Sequence, residues 1–198
     1  MRLNSSGSSL SNAKLIIGIN LAVFLLEQVV AMDRLFGLSW AGLQRGFLWQ
    51  LITYQFLHWN LLHLLVNLFG LWFAARSLEP LLGGRRFLML YLGSGVVGGL
   101  LQILLVPDSL LIGASGAVCG LIATFAALFP ELRITALVFF VLPVRLQAKW
   151  LGYAIVALST VFLLTGFAPG IGNAAHLGGA IAGYAFVWWT RRTHSVRV

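Results

Sequence analysis

Apolar residues in this chain run in long uncharged blocks bounded by charge, Gly or Pro, at lengths near the roughly 20 residues an α-helix needs to cross a bilayer. Leu15 to Met32 carries one charge, Glu27, followed by Gln28, while Leu61 to Ala75, Phe87 to Val106, Leu110 to Phe129, Trp150 to Phe167 and Ile171 to Thr190 contain no Lys, Arg, Asp or Glu. The pattern predicts an all-α polytopic membrane protein, a bundle of six transmembrane helices. It lacks the alternation, over about 10 residues per strand, of an outer-membrane barrel. The first block lies too far from Met1, and lacks the small-residue cleavage site, for a secretory signal, so it is read as a retained span.

A further apolar run, Ile134 to Val144, is short and contains Pro143. Charge decides how to read it. With six crossings and the N-terminus inside, 11 of the 13 Lys and Arg fall on the cytoplasmic side, leaving only Arg34 and Arg45 outside. A seventh crossing would split them six against seven and abolish the positive-inside bias. The short run therefore belongs at the cytoplasmic interface, and Trp188-Trp189 beside Arg191 and Arg192 reads as an interfacial anchor. The connection from Asp33 to Leu57 is too polar to span and too aromatic to be only solvated, which puts it in the outer interface. The predicted organisation is a cytoplasmic tail over 1–14, a membrane domain over 15–190 with the interfacial connection at about 33–57, and a basic cytoplasmic tail over 191–198. Both termini are expected in the cytoplasm, and a prokaryotic plasma (inner) membrane is the expected location.

Composition agrees with the membrane reading and removes others. The chain is 60% hydrophobic and 9% charged, yet carries a net +8. That excludes a disordered segment, and its basic residues flank apolar runs rather than form the solvated stripe of a nucleic-acid binder. One cysteine, Cys119, excludes an internal disulfide framework and a multi-cysteine zinc site.

Against this background certain polar residues stand out. Spans two, four and six run from outside to inside, so their first residues share the outer leaflet. Span two opens with His58, Asn60 and His63 and continues to Asn67, span four opens with Gly113-Ala114-Ser115-Gly116, and span six opens with Asn173 and His176. An ionisable side chain at that depth must face the bundle interior or a wet cavity, and marks a functional site by default. Together they suggest nucleophilic acyl transfer: a serine hydroxyl needs an adjacent base, and histidines are the bases at that depth. No Asp or Glu lies near His176 in sequence, so a Ser-His dyad is the simplest arrangement. His63 and Asn67, at i and i+4, share one helix face and could supply donors to an oxyanion. Glycines at 113, 116, 120, 179 and 183 would allow close helix approach.

Each feature alone also has a plainer reading. Gly-Ala-Ser-Gly is by itself helix-packing material, a single interfacial histidine is often structural, and the Gly-x-Ser-x-Gly elbow of soluble hydrolases is not met because residue 117 is Ala. His58 could cap an interface, Asn60 is read as structural, His194 as solvated, and Cys119 as a small apolar neighbour of the site. Arg76 and Glu79 are read as anchoring a loop. A metal site recruiting His58, His63 and His176 lacks a supporting acid or cysteine, and no metal or other cofactor is expected.

Taken jointly, the pattern resembles the rhomboid family of intramembrane serine proteases, over nearly the whole chain. The residues carrying the resemblance are Trp49-Gln50, His58, the His63-x3-Asn67 pair, Gly113-Ala114-Ser115-Gly116, Ala175-His176 and Gly179-x3-Gly183. It implies a rhomboid-type six-helix bundle with Ser115 as nucleophile and His176 as general base. It also implies an oxyanion hole from His63, Asn67 and the Ser115 backbone N–H, with His58, Gly113 and Cys119 as possible lining. Two positions depart from the family pattern: Gln50 stands where many members have Arg, and Cys119 where several have an aromatic residue that stacks on the histidine. The implied activity is hydrolysis of peptide bonds in or near transmembrane segments of protein substrates entering from the lipid bilayer. The alternative is a non-catalytic relative that binds transmembrane clients. A transporter or channel is disfavoured, because the polar residues cluster at one depth instead of lining a full crossing.

Overall fold

A computed structural model describes residues 11–138, 142–168 and 170–193. His194 and most of the two expected tails lie outside the described residues. Among the described residues the chain is helical apart from one antiparallel strand pair, an isolated bridge and the connecting turns. Helix α1 covers Asn12–Glu27, and four short turns of helix follow in the outer connection: α2 (Asp33–Phe36), α3 (Trp40–Gln44), α4 (Gln50–Thr53) and a 3-10 turn over Tyr54–Phe56. Then come α5 (Leu61–Leu82), α6 (Gly84–Leu105), α7 (Ser115–Leu128), strands β1 (Arg133–Val138) and β2 (Leu142–Gln147), α8 (Ala148–Thr165) and α9 (Asn173–Arg192).

Among the described residues, α5, α6 and α8 are long and apolar enough to cross a membrane by length and composition alone. α7 is apolar but has only 14 residues. The expected span from Leu110 is shortened because the chain over Leu110 to Ala114 is bound elsewhere, as described below. Three of the six expected spans are supported in this way, whereas α1, α7 and α9 do not meet the same criterion.

Local chemistry sets the helix ends. Asn60 caps α5, its side chain accepting from the His63 N–H at 2.9 Å, and Gly83 at φ 77° ends that helix and opens α6. Gly166, in the left-handed region, ends α8. Arg191 and Arg192 occupy the last turn of α9, where cations complement the helix dipole. The start of α1 is capped from a distance: the Glu79 carboxylate accepts from Ser11 Oγ (2.8 Å), Asn12 N (2.6 Å) and Ala13 N (3.3 Å). Glu79 thus anchors the start of a helix instead of the loop expected of it, and the Arg76 guanidinium lies on the Trp72 ring, 4.7 Å from its centroid. Glu79→Ala leaves the α1 donors without that acceptor, so it is expected to destabilise the folded protein by about 1–2 kcal/mol. A lowered midpoint in thermal unfolding in detergent, partly restored in Glu79→Gln, is the check.

α7 sits at the centre, packed on α5, α6, α8 and α9, with ten of its residues buried. Small residues make this possible. A Cβ on Gly179 would lie 1.9 Å from the Gly116 carbonyl oxygen, and one on Gly183 would lie 2.2 Å from that of Gly120. α7 and α9 thus touch backbone to backbone, and Thr124 Oγ1 donates across to the Gly183 carbonyl at 3.1 Å. The short apolar run between α7 and α8 forms an antiparallel hairpin, Arg133 pairing with Gln147 and Val138 with Leu142.

Candidate active site

Three segments far apart in sequence meet at one end of the bundle. The first is the chain entering α7. Leu111 exchanges backbone hydrogen bonds with Leu38 of the outer connection at 2.9 and 2.8 Å, and the Gly113 N–H donates to the Tyr54 carbonyl at 2.9 Å. Gly113 has φ 119°, and a Cβ there would also lie 2.5 Å from the His63 ring. Glycine meets both demands. Helix can begin only after this point, which makes Ser115 the first residue of α7 and leaves the N–H groups of its first turn without helical acceptors.

The second segment is the start of α9, where the Ala175 N–H donates to Gln102 Oε1 of α6 at 3.2 Å. Because α7 and α9 are in backbone contact at Gly116 and Gly179, their first turns face each other. His176 Nε2 lies 2.8 Å from Ser115 Oγ. In the tautomer with its proton on Nδ1, Nε2 accepts the Ser115 hydroxyl hydrogen. Among the described residues no carboxylate hydrogen-bonds the His176 ring. Glu27 accepts from the His58 backbone N–H, Glu79 caps α1, and Glu131 binds Gln147 and Lys149.

The third segment is the first two turns of α5. His63 and Asn67 line a cavity of about 340 Å³ together with Ser115 and His176, and Trp59, Ile112 and the stretch 170–172 complete its rim. Asn67 is buried, and its Nδ2 donates to the His63 carbonyl at 2.9 Å. A second cavity of about 350 Å³ also reaches Ser115, Asn67 and His176 and continues between α5 and α8, with Cys119 and β1 in its wall.

The structure thus brings Ser115, His176, His63 and Asn67 together, with Gly113 against the His63 ring and Cys119 half-buried in the wall of the second cavity. His58 is buried behind His63, their ring centroids 5.0 Å apart, and lines neither cavity. Asn60 has the structural role expected of it. Two positions whose part was not foreseen are buried glutamines. Gln102 joins α6 to the residue before His176. Gln50 accepts from the Ser39 N–H and donates to the Arg34 and Leu35 carbonyls, knotting the outer connection to itself at the position where many rhomboids carry Arg. For Gln102 the signal was available, since an uncharged amide inside an apolar segment must find partners there.

The family model for the Rhomboid domain matches residues 45–193. The chain belongs to the rhomboid family. Its curated relatives include rhomboid protein 1, mitochondrial, of Saccharomyces cerevisiae, 33% identical over 194 residues, covering 88% of this chain and 51% of that protein. Rhomboid-like protease 3 of Toxoplasma gondii is 34% identical over 140 residues, 71% of this chain and 51% of the relative. Inactive RHOMBOID-like protein 8 of Arabidopsis thaliana is 32% identical over 154 residues, 76% of this chain and 41% of the relative. This rhomboid spans about half the length of the first two. Family and apolar helices together make it an integral membrane protein of a group that includes named proteases.

Proposed function

We propose that this rhomboid is an intramembrane serine endopeptidase that hydrolyses peptide bonds in or near transmembrane segments of other proteins. Ser115 is the nucleophile and His176 the general base. The observation that supports the reading best is the 2.8 Å Ser115–His176 contact at the rim of a cavity that also holds His63 and Asn67. As Oγ attacks the carbonyl carbon, its proton passes to Nε2, and the carbonyl oxygen takes negative charge. The Ser115 N–H at the positive end of α7, with the His63 ring and the Asn67 amide, are the donors proposed to stabilise it. Collapse returns the proton from His176 to the leaving amine and leaves an acyl-enzyme, which a water activated by His176 then hydrolyses. For Asn67 to serve, its amide must turn from the His63 carbonyl toward the cavity.

The rest of the reading follows from family and charge. The membrane domain covers about 15–190 in six crossings, with both termini cytoplasmic, and the outer connection over about 33–57 lies along the interface. A prokaryotic plasma membrane is the proposed location, although relatives include proteins named as mitochondrial. The test is cleavage of a single-span protein in liposomes by the purified chain, with both new ends mapped by mass spectrometry. One cut near the outer end of the span supports the reading. A wild-type protein that binds such clients without cutting them would instead support the non-catalytic alternative, which the relative named inactive keeps in view. His63→Ala and Asn67→Ala are each expected to slow turnover about 10- to 1,000-fold, as loss of one oxyanion donor does. Initial rates at saturating substrate are the check, and an unchanged rate in both would move the oxyanion donors elsewhere.

A further inference from the structure

The hairpin leaves polar backbone of β1 beside a mostly apolar cavity. β1 pairs only with β2 among the described residues, and in an antiparallel pair every second residue turns its N–H and C=O away from the partner strand. On β1 those groups have no hydrogen-bond partner outside the hairpin among the described residues. Ile134, Thr135 and Ala136 form part of the wall of the second cavity, and no residue of β2 does. The cavity's other neighbours there, Phe73, Ile122 and Leu151, offer no hydrogen bond. Unpaired backbone beside apolar side chains is unfavourable, so the edge is a template for another extended chain.

Two cavities meet at the Ser115–His176 pair, one opening past Trp59 and 170–172, the other running inward between α5 and α8 to β1. A polypeptide whose carbonyl lies on Ser115 Oγ must leave the site on both sides, and one side enters the inward cavity. From the level of Asn67 to that of Phe73 is six residues of helix, about 9 Å, or roughly three residues of extended chain. We propose that the unwound substrate segment on the membrane side of the cleaved bond adds to β1 as a third strand, pairing from about its third to its sixth residue. β1 would thereby supply the hydrogen bonds that a transmembrane helix loses on opening, in the manner of strand addition at a free sheet edge. The inference rests on the proteolytic reading above.

The test is a proline scan of the substrate. Proline placed in turn at the third to sixth residues on the membrane side removes one N–H each time, and its loosening of the helix has no two-residue period. Strand pairing predicts that cleavage in liposomes falls about five- to tenfold at every second position relative to its neighbours, the loss of one ladder bond. An effect that is uniform or monotonic along the four positions overturns the proposal. A second measurement traps the complex: Thr135→Cys in a Ser115→Ala, Cys119→Ala chain, oxidised with substrates carrying single cysteines at the same positions. Disulfides at alternate positions support pairing. Their absence, or a spacing of three to four residues, overturns it. Wild-type protein that cuts no substrate in the parallel assay removes the proteolytic reading and this inference with it, whereas cutting without alternation removes only the inference.

Discussion

Ser115→Ala is expected to abolish proteolysis while leaving the bundle folded. Among the described residues lining the cavity, Ser115 carries the one hydroxyl beside a base, and on the proteolytic reading its loss closes the covalent route, a loss of about 10⁴- to 10⁶-fold in enzymes that work through such a group. The structural cost is small. Ser115 is only half-buried at the first position of α7, and its side chain makes one hydrogen bond, to His176. Losing that bond amounts to about 1 kcal/mol. His176→Ala should cost a comparable factor, because the hydroxyl is then unactivated. The double variant should be no slower than either single one, since the two groups act as a unit. Rates of liposomal cleavage, with thermal unfolding of each variant alongside, measure both halves of the expectation. Labelling of wild type by a fluorophosphonate, lost in His176→Ala, reports the same activation without any substrate. Residual cleavage by Ser115→Ala above a tenth of the wild-type rate would mean another nucleophile.

Gly179→Val is expected to have the largest effect on stability. Its Cβ would lie 1.9 Å from the Gly116 carbonyl oxygen, 2.7 Å from that carbonyl carbon and 3.2 Å from Gly116 Cα. All three atoms are backbone, so no rotamer change relieves the clash, and α9 must move away from α7 by an ångström or more. That separation breaks the Thr124–Gly183 hydrogen bond and draws His176 away from Ser115. A penalty above about 4 kcal/mol is expected, in the range reserved for severe overpacking and loss of the native arrangement. The protein should lose its cooperative melt and its monodisperse elution in detergent as well as its activity. Gly93→Ala is the control. A Cβ there meets nothing within 4 Å, so the substitution should leave folding intact. An equally stable Gly179→Val would show that the helix contact is not the backbone-to-backbone one described.

The candidate site was legible in the sequence for a physical reason. Histidine, asparagine and serine carry little information in a soluble chain, but inside apolar runs each must be accounted for, and charge sidedness put the openings of three spans that carry them at one depth. The five-residue shortening of α7 at its start was not legible, because Leu110 to Ala114 is as apolar as the helix it precedes. What stops the helix there is a pairing with Leu38 and a carbonyl at Tyr54, partners more than fifty residues away. The hairpin was hidden for a similar reason. Leu137 to Val141 is continuously apolar, so the two-residue period that marks a half-exposed strand never shows. His58 drew attention as a histidine beside the site, and only packing shows that it supports His63 from behind.

The distance along the chain between the paired groups of the site has a consequence for biogenesis. Ser115 and His176 are 61 residues apart, and α9, which carries the base, is the last helix of the described chain. At roughly 5–20 residues per second, a ribosome needs about 3–12 s to make the stretch between them. Throughout that interval the hydroxyl has no base and α7 lacks the backbone surface it packs against. On the proteolytic reading, the nascent protein therefore passes the translocation machinery with an unarmed hydroxyl, and arms it only once α9 has been inserted.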